Sequence, residues 1–194
     1  MRIGKQERRT RETEICVTID LDGSGKAKIA TGVGFLDHML NSFAVHGRFD
    51  LEVVVEKSDL EIDCHHTVED TGIVLGKAIG EALGDKAGIA RFGSFYIPMD
   101  EALSFAAVDI SGRPFLVYDN VHKNEMIGNY ETDMTEEFFR AVAFNAGMTL
   151  HLQSIYGTND HHRIEAMFKA FAYAMAMAVK KLDTDAPVST KGVL

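Results

Sequence analysis

The chain has few cysteines, few basic residues and no long apolar run. Cys16 and Cys64 are its only cysteines, too few for a disulfide framework. No apolar stretch reaches the length of a bilayer span, so no membrane-crossing helix is expected. The stretch Met1-Arg2-Ile3-Gly4-Lys5-Gln6-Glu7-Arg8-Arg9 lacks the apolar core of a signal peptide, and the cytoplasm is the expected location. Lys and Arg number 20 against 29 Asp and Glu, a net charge of −9, which argues against a nucleic-acid surface. It leaves room for an anionic small substrate, because a local cluster of cations can override the mean. No Pro- or Ser-rich linker divides the 194 residues, so its parts are expected to share one core.

What the chain does have is a repeated word. Cys64-His65-His66-Thr67-Val68-Glu69-Asp70 and Asp160-His161-His162-Arg163-Ile164-Glu165-Ala166 both contain His-His-x-x-Glu, and together they hold four of the eight histidines. Each follows a polar loop and opens an apolar, helix-like run. Residues three and four apart share a helix face, so Glu69 is expected over His65 and His66, and Glu165 over His161 and His162. Neighbouring helical residues diverge by about 100°, so one doublet serves two ions, one per ring, more readily than it serves one. Imidazole with carboxylate is a ligand set for Zn, Mn, Fe and related divalent metals. A lone doublet is more often a surface or capping pair, but two copies with the same trailing Glu favour metal.

The surrounding pattern also repeats. Residues 10–21 alternate as a strand, Asp22-Gly23-Ser24-Gly25 is turn chemistry, and 26–31 reads as the returning strand of a hairpin. A helix follows from Phe35, with Gly47 as its stop, then a valine-rich strand at 51–56. The doublet helix runs to about Leu83 and ends at Gly84. In the second half, 92–98, 102–110 and 114–118 read as strands, 136–147 as a helix, 149–155 as a strand, and the second doublet opens a helix to about Leu182. The expected fold is α+β: a duplicated β-β-α-β-α unit, 8–85 and 92–182, with two sheets and packed helices. The tail, 183–194, is small, polar and irregular.

Further candidates follow from placement. His38 sits among Leu36, Met39 and Leu40 and is favoured as another ligand. Glu137 is its symmetric candidate in the second half, with Glu136 as rival. His151 lies in a strand between Leu150 and Leu152, where a structural role is at least as good a reading. His122, in a polar loop, is given no role. His46, just before Gly47, is either a helix C-terminal charge or a base. Arg91, Arg113, Ser189 and Lys191 are either a phosphate grip or unrelated surface groups.

Together, Phe35-Leu36-Asp37-His38-Met39-Leu40, the two doublet segments with Phe168-Lys169-Ala170-Phe171, and Ser189-Thr190-Lys191-Gly192 resemble the imidazoleglycerol-phosphate dehydratases of histidine biosynthesis. The likeness runs from Arg8-Arg9-Thr10 to Gly192-Val193-Leu194. It implies a fold akin to the second domain of ribosomal protein S5, two manganese ions per active site, and a twenty-four-subunit homo-oligomer with sites between subunits. It implies the ligands His38, His65, His66, Glu69, His161, His162 and Glu165. Some members have histidine where this chain has Glu137, which leaves that ligand open. It also implies Arg91, Arg113, Ser189 and Lys191 on the substrate phosphate, and Glu14, His46 and Lys169 on the glycerol portion. The expected reaction takes D-erythro-imidazoleglycerol phosphate to imidazole acetol phosphate and water, through a dimetal-bound imidazolate and a diazafulvene-like intermediate. Neither nucleic acid nor membrane is an expected partner. A two-metal hydrolase, a metal store and an S5-like RNA binder are the rival readings.

Overall fold

A computed structural model describes residues 1–192 and 194; Val193, part of the expected tail, lies outside the described residues. The first half runs β1 (Ile3–Arg9), β2 (Glu14–Asp20), β3 (Ala27–Ala30), α1 (Gly34–Gly47), β4 (Asp50–Lys57) and α2 (His65–Leu83). The second runs β5 (Phe92–Met99), β6 (Ala102–Asp109), β7 (Phe115–Asp119), a small hairpin β8 (Met126–Ile127) and β9 (Tyr130–Glu131), α3 (Met134–Ala146), β10 (Thr149–Tyr156) and α4 (Asp160–Ala178). The sheets have orders β1-β2-β4-β3 and β5-β6-β10-β7, the same topology twice. The α+β class with two sheets and packed helices is the observed one. None of the described helices is long and apolar enough to cross a membrane.

Two features are not announced by the local pattern. One is β1, which precedes the two expected strands of the first half, so that unit is β-β-β-α-β-α, and the second unit matches it apart from its β8–β9 hairpin. Only Gly4 of β1 is buried, and an edge strand of that kind shows no apolar alternation. The other, in both halves, is the partner of the third strand. β3 does not return along β2; it pairs parallel with β4 on the far side, as β7 does with β10. A parallel pair needs a crossover, and α1 supplies it. The Asp50 carboxylate steers the chain there: its Oδ1 accepts from the backbone N–H of Ser24 at 2.7 Å, Gly25 at 3.1 Å and Lys26 at 2.9 Å. The expected hairpin is therefore a turn drawn onto the start of β4.

Two helix ends also differ. At the end of α1 the left-handed residue is Arg48, with φ 59°, and Gly47 is needed for another reason: a Cβ there would lie 2.4 Å from the Phe49 ring. Gly147, by contrast, takes φ 66° itself, as expected of a C-terminal glycine. α4 stops at Ala178, short of Leu182.

Ile15, Val17 and Ile19 of β2 turn inward while their neighbours stay part-exposed, and one apolar cluster runs through both halves. The halves meet where α2 lies on α3. Gly72 and Gly76 let the backbones close up, since a Cβ at either would come within 2.7 Å of a carbonyl of α3. At the periphery Arg2 bonds the Asp22 carboxylate at 2.7 Å and the Val179 carbonyl at 2.7 Å, tying the N-terminus to the end of α4. That bond holds the Asp22 carboxyl at about 2. A depressed folded-state pKa adds stability above the unfolded value near 3.8 and loses it as the pH falls through about 2. Asp22→Asn is therefore expected to cost about 1 kcal/mol at pH 7, after discounting for solvent screening. Urea titrations at pH 7 and at pH 2.5 check it: the gap from wild type should narrow at the lower pH.

Candidate metal centres and anion pocket

The doublets sit at helix starts that local bonds hold firmly. The Asn159 side chain accepts from the His161 N–H at 3.0 Å and caps α4. Buried Asp160 accepts from the Lys123 and Asn124 N–H groups and pairs with Arg163 at 3.2 Å. On α2 the Asp63 carboxylate accepts from the His65 N–H at 2.8 Å.

One cluster is closed within the chain. His38 on α1 and His161 on α4 each place Nε2 3.1 Å from the same oxygen, Oε2 of buried Glu165. The other Glu165 oxygen takes the Lys169 ammonium at 2.7 Å. Burial pushes this carboxyl up, but Lys169 and His38 more than offset it and leave it below its ordinary value. Adjacent ligands on an octahedral ion with bonds of ~2.1–2.2 Å lie about 3 Å apart. The two nitrogen–oxygen pairs, His38–Glu165 and His161–Glu165, have that spacing, all three donors lie within 4.8 Å of one another, and the set has the chemistry of a manganese or zinc site, so these residues fit a divalent cation.

The other half is more open. His65 Nε2 stands 3.7 Å from Glu69 and lines a cavity of about 600 Å³ with His122, Glu136 and Glu137 among others. Glu137 and Glu136 both pair with Arg140, at 3.3 and 2.5 Å. His122, given no role from sequence, bonds the Tyr118 hydroxyl at 3.0 Å on the same cavity wall. His151 is exposed on the sheet face opposite Leu150 and Leu152, and is absent from both described clusters of metal-type donors.

The second ring of each doublet is turned away from the first. The ring planes cross at 76° for His65 and His66 and at 80° for His161 and His162. Neither Glu69 nor Glu165 pairs with the second ring, against the expectation that each glutamate covers both. Instead His66 Nδ1 lies 2.6 Å from Asp59, and His162 Nδ1 lies 2.8 Å from Glu101. Asp59 raises His66 above its ordinary pKa, and the His162 bond holds Glu101 well below the carboxylate range. Among the described residues no metal-type cluster draws on both doublets.

Arg91, Arg113, Ser189 and Lys191 come from three separate stretches and line one cavity of about 260 Å³, with Thr190 and Leu194. Arg91 is held by Asp109 at 2.7 Å and by the Val188 carbonyl at 2.7 Å, mirroring Arg2 in the first half. A pocket with two guanidinium groups, an ammonium and a hydroxyl suits a phosphate. His46, late in α1, meets the Tyr173 hydroxyl at 3.4 Å; burial, then Lys169, pushes its pKa down. Glu14 starts β2 and pairs with Arg9 at 2.9 Å. Among the described residues no hydrogen bond or ion pair joins it to His46 or Lys169. Sequence reasoning missed Asp59, Glu101 and Tyr173, because none of them belongs to a repeated word or a periodic face.

Fold and clusters define a class: a duplicated α+β enzyme whose helix starts carry candidate metal ligands and whose edge carries a basic pocket. Residues 31–175 match the family model described as imidazoleglycerol-phosphate dehydratase. A protein of that name from Acetivibrio thermocellus is 61% identical over 188 residues, covering 96% of each chain. One from Alkaliphilus metalliredigens is 54% identical over 190 residues, covering 97% of this chain and 96% of the other. The crystal structure of the Staphylococcus aureus imidazoleglycerol-phosphate dehydratase superposes with a TM-score of 0.83 at 41% identity, covering 92% of this chain and 99% of that one. The chain belongs to the imidazoleglycerol-phosphate dehydratase family, whose members are hydro-lyases.

Proposed function

We propose that this chain removes water from D-erythro-imidazoleglycerol phosphate to give imidazole acetol phosphate in L-histidine biosynthesis. It works in the cytoplasm, with two Mn²⁺ ions per active site. The convergence of His38 and His161 on Glu165, in a member of this family, is the observation that carries the reading. His38, His161 and Glu165 would hold one ion; His65, Glu69 and Glu137 would hold the other. When bound, the ions supply Lewis acidity that draws charge into the azole ring of the substrate. His66 and His162 turn to Asp59 and Glu101 instead of these clusters and would complete centres on neighbouring subunits, which fits a homo-oligomer of twenty-four subunits with sites between them.

The chain's own groups then bind the substrate and move protons. Arg91, Arg113, Ser189 and Lys191 grip the phosphate and orient the reacting carbons. The C2 proton of the glycerol arm sits beside no carbonyl, so a positioned base is needed where it leaves. Burial and then Lys169 push the His46 pKa down, which favours the neutral ring that can accept a proton. Glu14 is the carboxylate partner in proton transfer at C2 and C3, and Lys169 meets the glycerol hydroxyls. The C3 hydroxyl and C2 proton depart as water, and the resulting enol becomes the ketone.

An assay that follows both keto product and released phosphate tests the reaction class: keto product without phosphate is expected, and phosphate release alone would mark a hydrolase. Arg113→Ala is expected to raise KM about 10–100-fold, since charge-assisted bonds to phosphate are among the strong ones. Metal content should stay at the wild-type level. An unchanged KM would remove Arg113 from the phosphate grip.

A further inference from the structure

We infer that Asp59 and Glu101 are positioning residues that aim Nε2 of His66 and His162 out of the chain toward a cation held with another subunit. The inference rests on the metal reading above and adds two residues to it. Both doublets divide their work in one way. The first ring presents Nε2 to the glutamate one turn on, at 3.7 Å for His65 and 3.1 Å for His161. The second ring gives Nδ1 to a carboxylate instead, at 2.6 Å for His66 and 2.8 Å for His162. Among the described residues Nε2 of neither second ring makes a hydrogen bond; for His162 the nearest carboxylate, that of Asp100, lies 3.7 Å away. A neutral ring whose Nδ1–H is bonded to a carboxylate is held in the tautomer that leaves Nε2 as a lone-pair donor.

The two carboxylates are held in different ways. Asp59 is fixed by burial, with 5% of its surface exposed, and among the described residues its Oδ1 has no hydrogen-bond partner. Glu101 accepts on its other oxygen from the N–H groups of Thr158 at 2.9 Å and Asn159 at 2.8 Å, so it is pinned to the loop that starts α4. They also come from unlike places. Asp59 lies in the connection from β4 to α2, and Glu101 in the turn between β5 and β6. Position-by-position inheritance through the repeat does not produce that match. A shared demand on the second ring does.

A rival use of the same atoms is a cation bound inside the chain by Glu12, Asp59 and His66, whose donor atoms lie within 4.8 Å of one another. The test separates the two. The assembled protein is stripped of metal, and Mn²⁺ binding is measured for wild type, Asp59→Ala, Glu101→Ala and Glu12→Gln. Each alanine variant is expected to weaken Mn²⁺ at one of the two centres by about 10–100-fold, the usual loss when the carboxylate behind a metal-bound histidine is removed. Glu12→Gln should bind Mn²⁺ as wild type does. Equal loss in Glu12→Gln and Asp59→Ala would make the three residues ligands and overturn the orienting role. If an alanine variant fails to assemble, Asp59→Asn and Glu101→Gln replace it. A second readout needs no metal: ¹⁵N-histidine spectra of the metal-free protein should show His66 and His162 protonated at Nδ1. That signature should be lost with the matching carboxylate. Unmoved tautomers together with unchanged Mn²⁺ affinity would sink the inference. Wild type that binds no Mn²⁺ would sink the metal reading instead, and the tautomer spectra would still decide what the carboxylates do.

Discussion

Chelation of divalent cations is expected to lower turnover by about 10³-fold or more, and Mn²⁺ is expected to restore it. Lewis-acid stabilisation is worth several kcal/mol, and each 1.36 kcal/mol of barrier is a factor of ten. Glu165→Gln should reproduce the loss without chelator. Glu165 is the hinge of the closed cluster, because one of its oxygens lies 3.1 Å from both His38 and His161 and the other takes Lys169 at 2.7 Å. An amide keeps the shape of the side chain but removes the charge that offsets a cation and pairs with the ammonium. Metal content of the variant, read by elemental analysis, should fall alongside kcat. Full activity in a preparation with less than about a tenth of an ion per chain would end the metal account.

The parts of this site that could be read from sequence are those governed by local spacing. The helix starts at His65 and Asp160 follow polar loops, and the i,i+4 rule brings Glu165 to His161 without help from the rest of the fold. The same rule cannot say where the second ring goes, because that depends on Asp59 and Glu101, which arrive from loops with no periodic pattern. Likewise Arg91 and Arg113 are visible as scarce cations, yet their meeting with Ser189 and Lys191 depends on Asp109 and on the course of the C-terminal tail. The α+β alternation was legible from apolar period. Strand order was not: β1 buries a single glycine, and the partner of β3 is chosen by Asp50 reaching back to the turn at Ser24. Short-range chemistry declares the candidate ligands, and long-range hydrogen bonds decide which of them meet.

Gly93→Ala is expected to be among the most damaging small substitutions in the fold. A Cβ on Gly93 would sit 1.9 Å from the Ala174 carbonyl oxygen, well inside any real contact. The oxygen belongs to a hydrogen-bonded backbone in α4, so it cannot swing aside as a side chain would. Either β5 lifts off α4 or the helix shifts, and a helix shift moves His161 and Glu165, which lie on its other side against α1. Gly4 meets the Ala78 carbonyl at 1.9 Å in the same way, one repeat earlier, where β1 lies on α2. Overpacking of this kind costs about 3 kcal/mol or more, which for a chain of this size lowers the melting midpoint by roughly 6–12 °C. Gly34→Ala is the matched control: a Cβ there meets nothing within 4 Å, and its effect should stay within about 0.5 kcal/mol. Thermal melts of Gly93→Ala and Gly34→Ala beside wild type decide the matter. Should Gly93→Ala melt with Gly34→Ala, the strand–helix approach is slack, and the positioning of His161 and Glu165 has to be credited to the caps at Asn159 and Asp160 alone.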